Sequence, residues 1–291
     1  MRCVALCALL PVLALTGCGA LADTGDGVQV AAGFYPLQYV AQRVAGDEAR
    51  VEVLTAPGGE PHDITLSVRE TAMVAESDVL VVAGGVQPAV DDAVETAAED
   101  GIVVDTAAPG FETSNAPQIR PHDPHFWLDP LLMADLGDAV ADALTEADPD
   151  NADAYRGHAA DLRHDLQRLD AAYEQGLSDC RRSTVVVSHD AFGYLDRYGL
   201  EFAPIAGLSP GAEPTPADLS RLQDLIRDEG ITTVFSERLV SPRLSESLAD
   251  DLGVGTGVLD PIEGLSEETR HEDYLSLMRA NLAALREANG C

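Results

Sequence analysis

The sequence predicts an α/β protein of two (β/α)4 lobes, each with a parallel four-stranded sheet, joined by one long rigid helix. Three observations carry this. Short apolar runs alternate with helix-periodic stretches four times up to residue 147 and four times again after residue 180, the rhythm of parallel strands covered by helices. Between the two series, residues 148–179 contain no proline after Pro149, and Tyr155, Ala159, Leu162, Leu166, Leu169 and Tyr173 recur at helical spacing. Such a helix, about 30 residues and roughly 45 Å long, exceeds the usual globular length and so spans from lobe to lobe. Finally, 291 residues with 46% hydrophobic and 23% charged side chains suffice for two globular cores.

The first lobe, residues 28–147, opens with a strand over Val28–Ala32, a break at Gly33 and a helix from about Pro36 to Val44. A strand at Val51–Leu54 leads into the loop Ala56–Asp63, punctuated by Pro57, Gly58, Gly59 and Pro61. A helix then runs to about Ala75, followed by a strand at Asp78–Ala83, a helix at Gln87–Glu99 and a strand at Ile102–Asp105. After a long loop, Pro130 opens a helix to about Glu146, in the first-turn place that suits proline. After the linking helix (148–179), the second lobe, residues 180–291, has strands at Thr184–Ser188, Phe202–Ile205, Ile231–Phe235 and Val254–Leu259. Its helices are expected at Ala191–Tyr198, after the Ser209–Pro216 loop to Glu229, up to about Asp251, and at Glu267–Ala288.

Charge narrows the function classes. The net charge is −32, and all 18 basic residues are arginine. A surface this acidic repels nucleic acid, and no basic groove is available to bind it. Residues 1–18 stand apart from the fold: Arg2 precedes the apolar run Val4–Leu15, which is too short to span a bilayer as a mature helix. The following Leu15-Thr16-Gly17-Cys18 resembles the lipobox of bacterial lipoproteins. That resemblance implies a lipid on Cys18 and an extracytoplasmic protein anchored to the outer face of the cell membrane; residues 19–27, small and polar, suit a flexible tether. With Cys3 and Cys7 removed in the signal, Cys180 and Cys291 remain as an even pair in an oxidising compartment. A disulfide between them is expected, with two free thiols as the alternative.

The chemistry concentrates at strand ends, where open α/β sheets bind ligands. The stretch from Pro121 to Pro130 holds His122, His125 and the sole tryptophan, and its prolines keep it a loop. His62 follows the second strand, His125 the fourth, His189 the first strand of the second lobe, and Asp260 the last. Three imidazoles and a carboxylate drawn from both lobes form a tetrahedral set suited to zinc. Asp260 before Pro261 also fits an ordinary turn. A zinc-dependent hydrolase is the competing class, with three histidines, an open water position, and Asp260 or Glu60 as general base.

The segments Gly58-Gly59-Glu60-Pro61-His62-Asp63, Asp123-Pro124-His125-Phe126-Trp127-Leu128-Asp129-Pro130, Ser188-His189-Asp190-Ala191-Phe192-Gly193-Tyr194 and Leu259-Asp260-Pro261 resemble, in order, the motifs of one family. It is that of the zinc- and manganese-binding solute-binding lipoproteins of bacterial ABC importers. The resemblance covers essentially the whole mature chain. It implies His62, His125 and His189 as metal ligands, Asp260 as the fourth, and Glu60 as its competitor. It further implies Zn2+ as transported cargo, delivered by a monomer to a membrane permease, with a metallochaperone as a further partner. A Mn2+- or Fe2+-binding member is the alternative; His189, where manganese binders often carry Glu, favours zinc. Phe111–Arg120 lacks the histidine-rich loop of many zinc members, leaving His122 as a candidate transient ligand. Glu237 ends a strand of the second lobe and is expected to orient an imidazole N–H.

Overall fold

The computed structural model describes residues 27–97, 101–108, 111, 113, 120, 123–208 and 211–291. The signal region with Cys18, nearly all of the tether, and His122 therefore lie outside the described residues. Strands β1 (Val28–Ala32), β2 (Ala49–Val53), β3 (Val79–Val82) and β4 (Ile102–Asp105) form a parallel sheet in the order β2-β1-β3-β4. Strands β5 (Thr184–Val187), β6 (Glu201–Pro204), β7 (Thr233–Ser236) and β8 (Gly255–Val258) repeat that arrangement as β6-β5-β7-β8. In each sheet the chain winds one way from the first strand and then the other, which opens a crevice at the carboxyl ends.

The helices are α1 (Tyr35–Ala45), α2 (Val68–Glu76), α3 (Pro88–Ala97), α4 (Pro130–Ala147), α5 (Ala152–Leu177), α6 (Pro216–Glu229), α7 (Arg243–Leu252) and α8 (Tyr274–Asn289). Linking helix α5 has 26 residues, because a short 3-10 turn at Pro149–Asn151 takes up the start of the predicted stretch. It buries the seam read from the sequence, Tyr155, Ala159, Leu162, Leu166, Leu169 and Tyr173, and adds Leu177. That seam packs on α1 and α4 and then on α8. One hydrophobic core runs from Val30 and Val79 of the first sheet, along α5, to Val185 and Val187 of the second. Sliding one lobe over the other would expose apolar surface, so the link is stiff.

Two elements differ from the expectation. The predicted helix at Ala191–Tyr198 is a 3-10 turn over Gly193–Tyr198, ended by Gly199 at φ 82°. Its six residues, at about three per turn, make two tight turns. The closing helix begins at Tyr274, where Asp273 and Ser276 form a reciprocal cap, so His271 lies in the turn before it. Cys180 and Cys291 are joined in a disulfide that ties the C-terminus to the end of α5. The Arg181 and Arg182 backbone N–H groups reinforce it by donating to the Asn289 carbonyl. Among the described residues, no helix is long and apolar enough to cross a membrane.

Candidate metal centre

Each of the three predicted histidines is carried by a different local device. His62 sits in a 3-10 turn, Pro61–Asp63, beyond β2; its backbone N–H donates to Glu60 Oε1 at 3.1 Å. His125 precedes the turn Phe126–Leu128, whose three side chains are buried and pin the loop to the core. Asp123 Oδ1 accepts from both the backbone N–H (3.1 Å) and ring Nδ1 (2.8 Å) of His125. His189 follows β5, and its Nδ1 lies 2.9 Å from Glu237 Oε1, beyond β7. A carboxylate at Nδ1 makes that nitrogen the donor, which turns the Nε2 lone pair toward the interior. Glu237 faces His189 Nδ1 as Asp123, which the sequence reading did not single out, faces His125 Nδ1. The one-residue gap in Asp123-Pro124-His125 was the available signal.

The three Nε2 atoms converge on one carboxylate oxygen. Glu263 Oε1 lies 3.4 Å from His62 Nε2 and 3.5 Å from each of His125 and His189 Nε2. All four atoms are buried and make no hydrogen bond. Metal–ligand bonds near 2.0–2.1 Å in a tetrahedron put neighbouring ligand atoms about 3.3 Å apart, close to these three separations; the sets whose ligand atoms all lie within 4.8 Å of one another are His62, His125 and Glu263, and His189, Glu237 and Glu263, which share the Glu263 carboxylate. Four polar atoms without a hydrogen bond in a protein interior are costly unless charge compensates them, by protons on the imidazoles or by a cation among them.

Asp260, expected as the fourth member, is not brought to the three rings. Its Oδ1 accepts from the Ile262 backbone N–H at 2.8 Å, and its Oδ2 lies 3.2 Å from Arg238 Nε. The chain leaving β8 folds Asp260 back onto its own turn, and the next carboxylate along, Glu263, reaches the centre. Burial raises the Asp260 pKa to about 6, against the Ile262 N–H and Arg238. Glu60, the competing candidate, also turns back onto its own loop, to the His62 N–H.

The electrostatics follow from this packing. Burial by itself would lower the pKa of His125 and His189, yet both are raised. Asp123 and Glu263 override it at His125; Glu237 and Glu263 carry His189 to about 10. Burial opposes ionisation of Glu263, but the facing His125, His189 and His62 rings hold its carboxyl well below the usual range. The cluster thus holds positive charge against a buried carboxylate, and a divalent ion would displace those protons.

The sequence model of the ZnuA family, zinc-uptake complex component A, periplasmic, matches residues 30–288. The chain belongs to that family. The zinc-binding lipoprotein AdcA of Streptococcus pneumoniae (strain TIGR4) is 32% identical over 97% of the chain and 60% of its own length. The chain thus spans about three fifths of that relative. The high-affinity zinc uptake system protein ZnuA of Bacillus subtilis is 29% identical over 93% of the chain and 90% of its own length. Among solved structures, the Zn(II)-bound ZnuA-like domain of Streptococcus pneumoniae AdcA superposes with a TM-score of 0.77 at 32% identity, covering 91% of this chain and all of that domain.

In this ZnuA-family chain the centre lies where the lobes meet, with His62 and His125 from the first and His189 and Glu263 from the second. A cavity of about 320 Å³ adjoins it, lined by Glu60 and Asp63 from the first lobe and by Ser188, Glu237 and Leu244 from the second.

Proposed function

We propose that the chain captures Zn2+ between its lobes, outside the cytoplasm, and delivers it to the permease of an ABC transporter. The observation that carries this reading is the set of four buried, unpaired ligand atoms, three imidazole nitrogens 3.4–3.5 Å from one carboxylate oxygen. Family membership and the zinc-named relatives support the same cargo. Three imidazoles favour zinc over manganese, and the oxygen comes from Glu263. Three imidazoles and a carboxylate would give zinc four protein ligands and leave no position for a reactive water, which supports a carrier over a hydrolase. The core shared through α5 limits lobe rotation, so capture and release proceed mainly by rearranging loops around the centre. Lipidation at Cys18 would hold the protein, as a monomer, beside its permease.

Native mass spectrometry of metal-free protein titrated with Zn2+ tests the reading. One ion per chain is expected, with strongly weakened retention in His125→Ala, His189→Ala and Glu263→Ala. Absence of stoichiometric zinc, or undiminished binding in those variants, would refute it.

A further inference from the structure

Glu263 reaches the centre through an unfavourable backbone. Ile262, the residue before it, has φ 60°, the one positive φ at a non-glycine residue among those described. A β-branched side chain in the left-handed region is an outlier that persists only where its surroundings enforce it. Those surroundings are specific. Asn281 on α8 grips Asp260 from both sides: its Oδ1 accepts from the Asp260 N–H at 2.9 Å and its Nδ2 donates to the Asp260 carbonyl at 2.6 Å. Asp260 Oδ1 takes the Ile262 N–H at 2.8 Å. From the first lobe, the Trp127 indole N–H donates to the Pro261 carbonyl at 2.7 Å. Trp127 is fully buried, its ring lies 5.2 Å from that of His125, and its own carbonyl accepts from Tyr274 Oη at 2.5 Å.

We propose that Trp127 and Asn281 are positioning residues: they clamp the Asp260–Glu263 turn in its strained form and so aim the Glu263 carboxylate at the three imidazoles. Trp127 stands two residues after His125, and it holds the carbonyl two residues before Glu263. One indole thereby sets a ligand of the first lobe and a ligand of the second in register. This also gives Asp260 its task, bracing the turn in place of binding the ion. The proposal rests on the zinc reading above.

The test uses Trp127→Phe, which keeps an aromatic ring and removes the N–H, with Asn281→Asp, which keeps the acceptor and removes the donor. Zn2+ affinity is measured by competition with a chromophoric chelator, Co2+ absorption reports the ligand set, and melting of the metal-free protein reports the fold. Each variant is expected to bind zinc roughly ten- to a hundredfold more weakly, the usual cost of losing a group that orients a metal ligand. Its Co2+ spectrum should move toward that of Glu263→Gln as water replaces the carboxylate. Adding Ile262→Gly, which makes the left-handed turn unstrained, should shrink the Trp127→Phe loss. Wild-type affinity and an unchanged Co2+ spectrum in both folded variants would overturn the proposal, as would an equal Trp127→Phe loss with Ile262 and with Gly at that position. Should Trp127→Phe not fold, Asn281→Asp tests the clamp by itself: weaker binding with the shifted spectrum supports it, and wild-type behaviour overturns it. Failure of the wild-type protein to bind Zn2+ or Co2+ would instead sink the functional reading itself.

Discussion

The two histidines of the first lobe are held very differently. His125 is fully buried, braced by Asp123 and by a turn sunk in the core, whereas the His62 side chain is 13% exposed on a loop with mostly accessible neighbours. The His62 loop meets the second lobe through the Gly58 N–H, which donates to the Leu265 carbonyl at 2.9 Å. The His125 segment is tied across the boundary by Trp127 to Pro261, by Tyr194 Oη to the Asp123 carbonyl and by Arg197 to buried Asp129. The contrast separates two jobs. On the proposed function, buried and cross-braced ligands would be set in place before the ion arrives and supply affinity through preorganisation, while a ligand on a lightly held loop would complete the shell and govern how fast it opens.

The largest effect that would sharpen this comparison is the loss of a braced ligand. His125→Ala and His189→Ala should weaken Zn2+ binding roughly a hundredfold or more, a quarter of a typical four-ligand zinc site. His62→Ala should lose less at equilibrium and show a disproportionate rise in the dissociation rate when a chelator is mixed with loaded protein. Equal rates for His62→Ala and His125→Ala would break the distinction.

Next in size come the carboxylates that hold the rings. Asp123→Ala and Glu237→Ala should each cost roughly ten- to a hundredfold in zinc affinity, measured by chelator competition. Both leave all four ligands in the chain, so the loss reports orientation.

Acidity acts in opposite directions on the empty and the loaded site. His189 is raised from 6.5 to about 10, so its contribution to metal-free stability is full below about 6.5 and is lost as pH climbs through about 10. Glu263 is depressed below 4.5, so its contribution is present above 4.5 and is lost as pH falls through its lower folded value. Denaturant unfolding of metal-free protein should therefore show lower stability at about pH 9 than at about pH 6. Zinc must expel the imidazole protons, so its affinity should rise over that same interval, with proton release detectable by calorimetry in buffers of different ionisation enthalpy.

Much of this was legible in the sequence. The expected strands overlapped each of the eight described ones; the inner strands β3 and β5 are wholly buried and therefore apolar, whereas the edge strands β2 and β8 are accessible along their length and gave a weaker signal. The three histidines stood out because they lie at strand ends in rigid, proline-bounded or strand-terminating segments. Glu263 did not, since its approach depends on the left-handed Ile262, and no periodicity or spacing encodes a strained φ at a β-branched residue. Asp260 drew the assignment instead, as the first carboxylate past the strand, yet an acid before proline is also what a turn selects. The cap at Asp273 was local enough to be read, as Asp273 three residues before Ser276, but the polar stretch Glu267–Glu272 holds no glycine or proline to mark a break before it.

The smallest expected effect concerns this exchange of Asp260 for Glu263. Asp260→Asn keeps the oxygen that accepts the Ile262 N–H, so zinc affinity should stay near that of the wild type while the lost partner of Arg238 lowers the melting temperature slightly.

The central claim, that ligands from both lobes close on one cation, is tested most directly by anomalous diffraction at the zinc absorption edge from crystals of the loaded protein. A single peak bonded to Nε2 of His62, His125 and His189 and to the Glu263 carboxylate is the expected result. A peak held by Asp260 or Glu60 with Glu263 turned away, or one lying outside the boundary between the lobes, would contradict it.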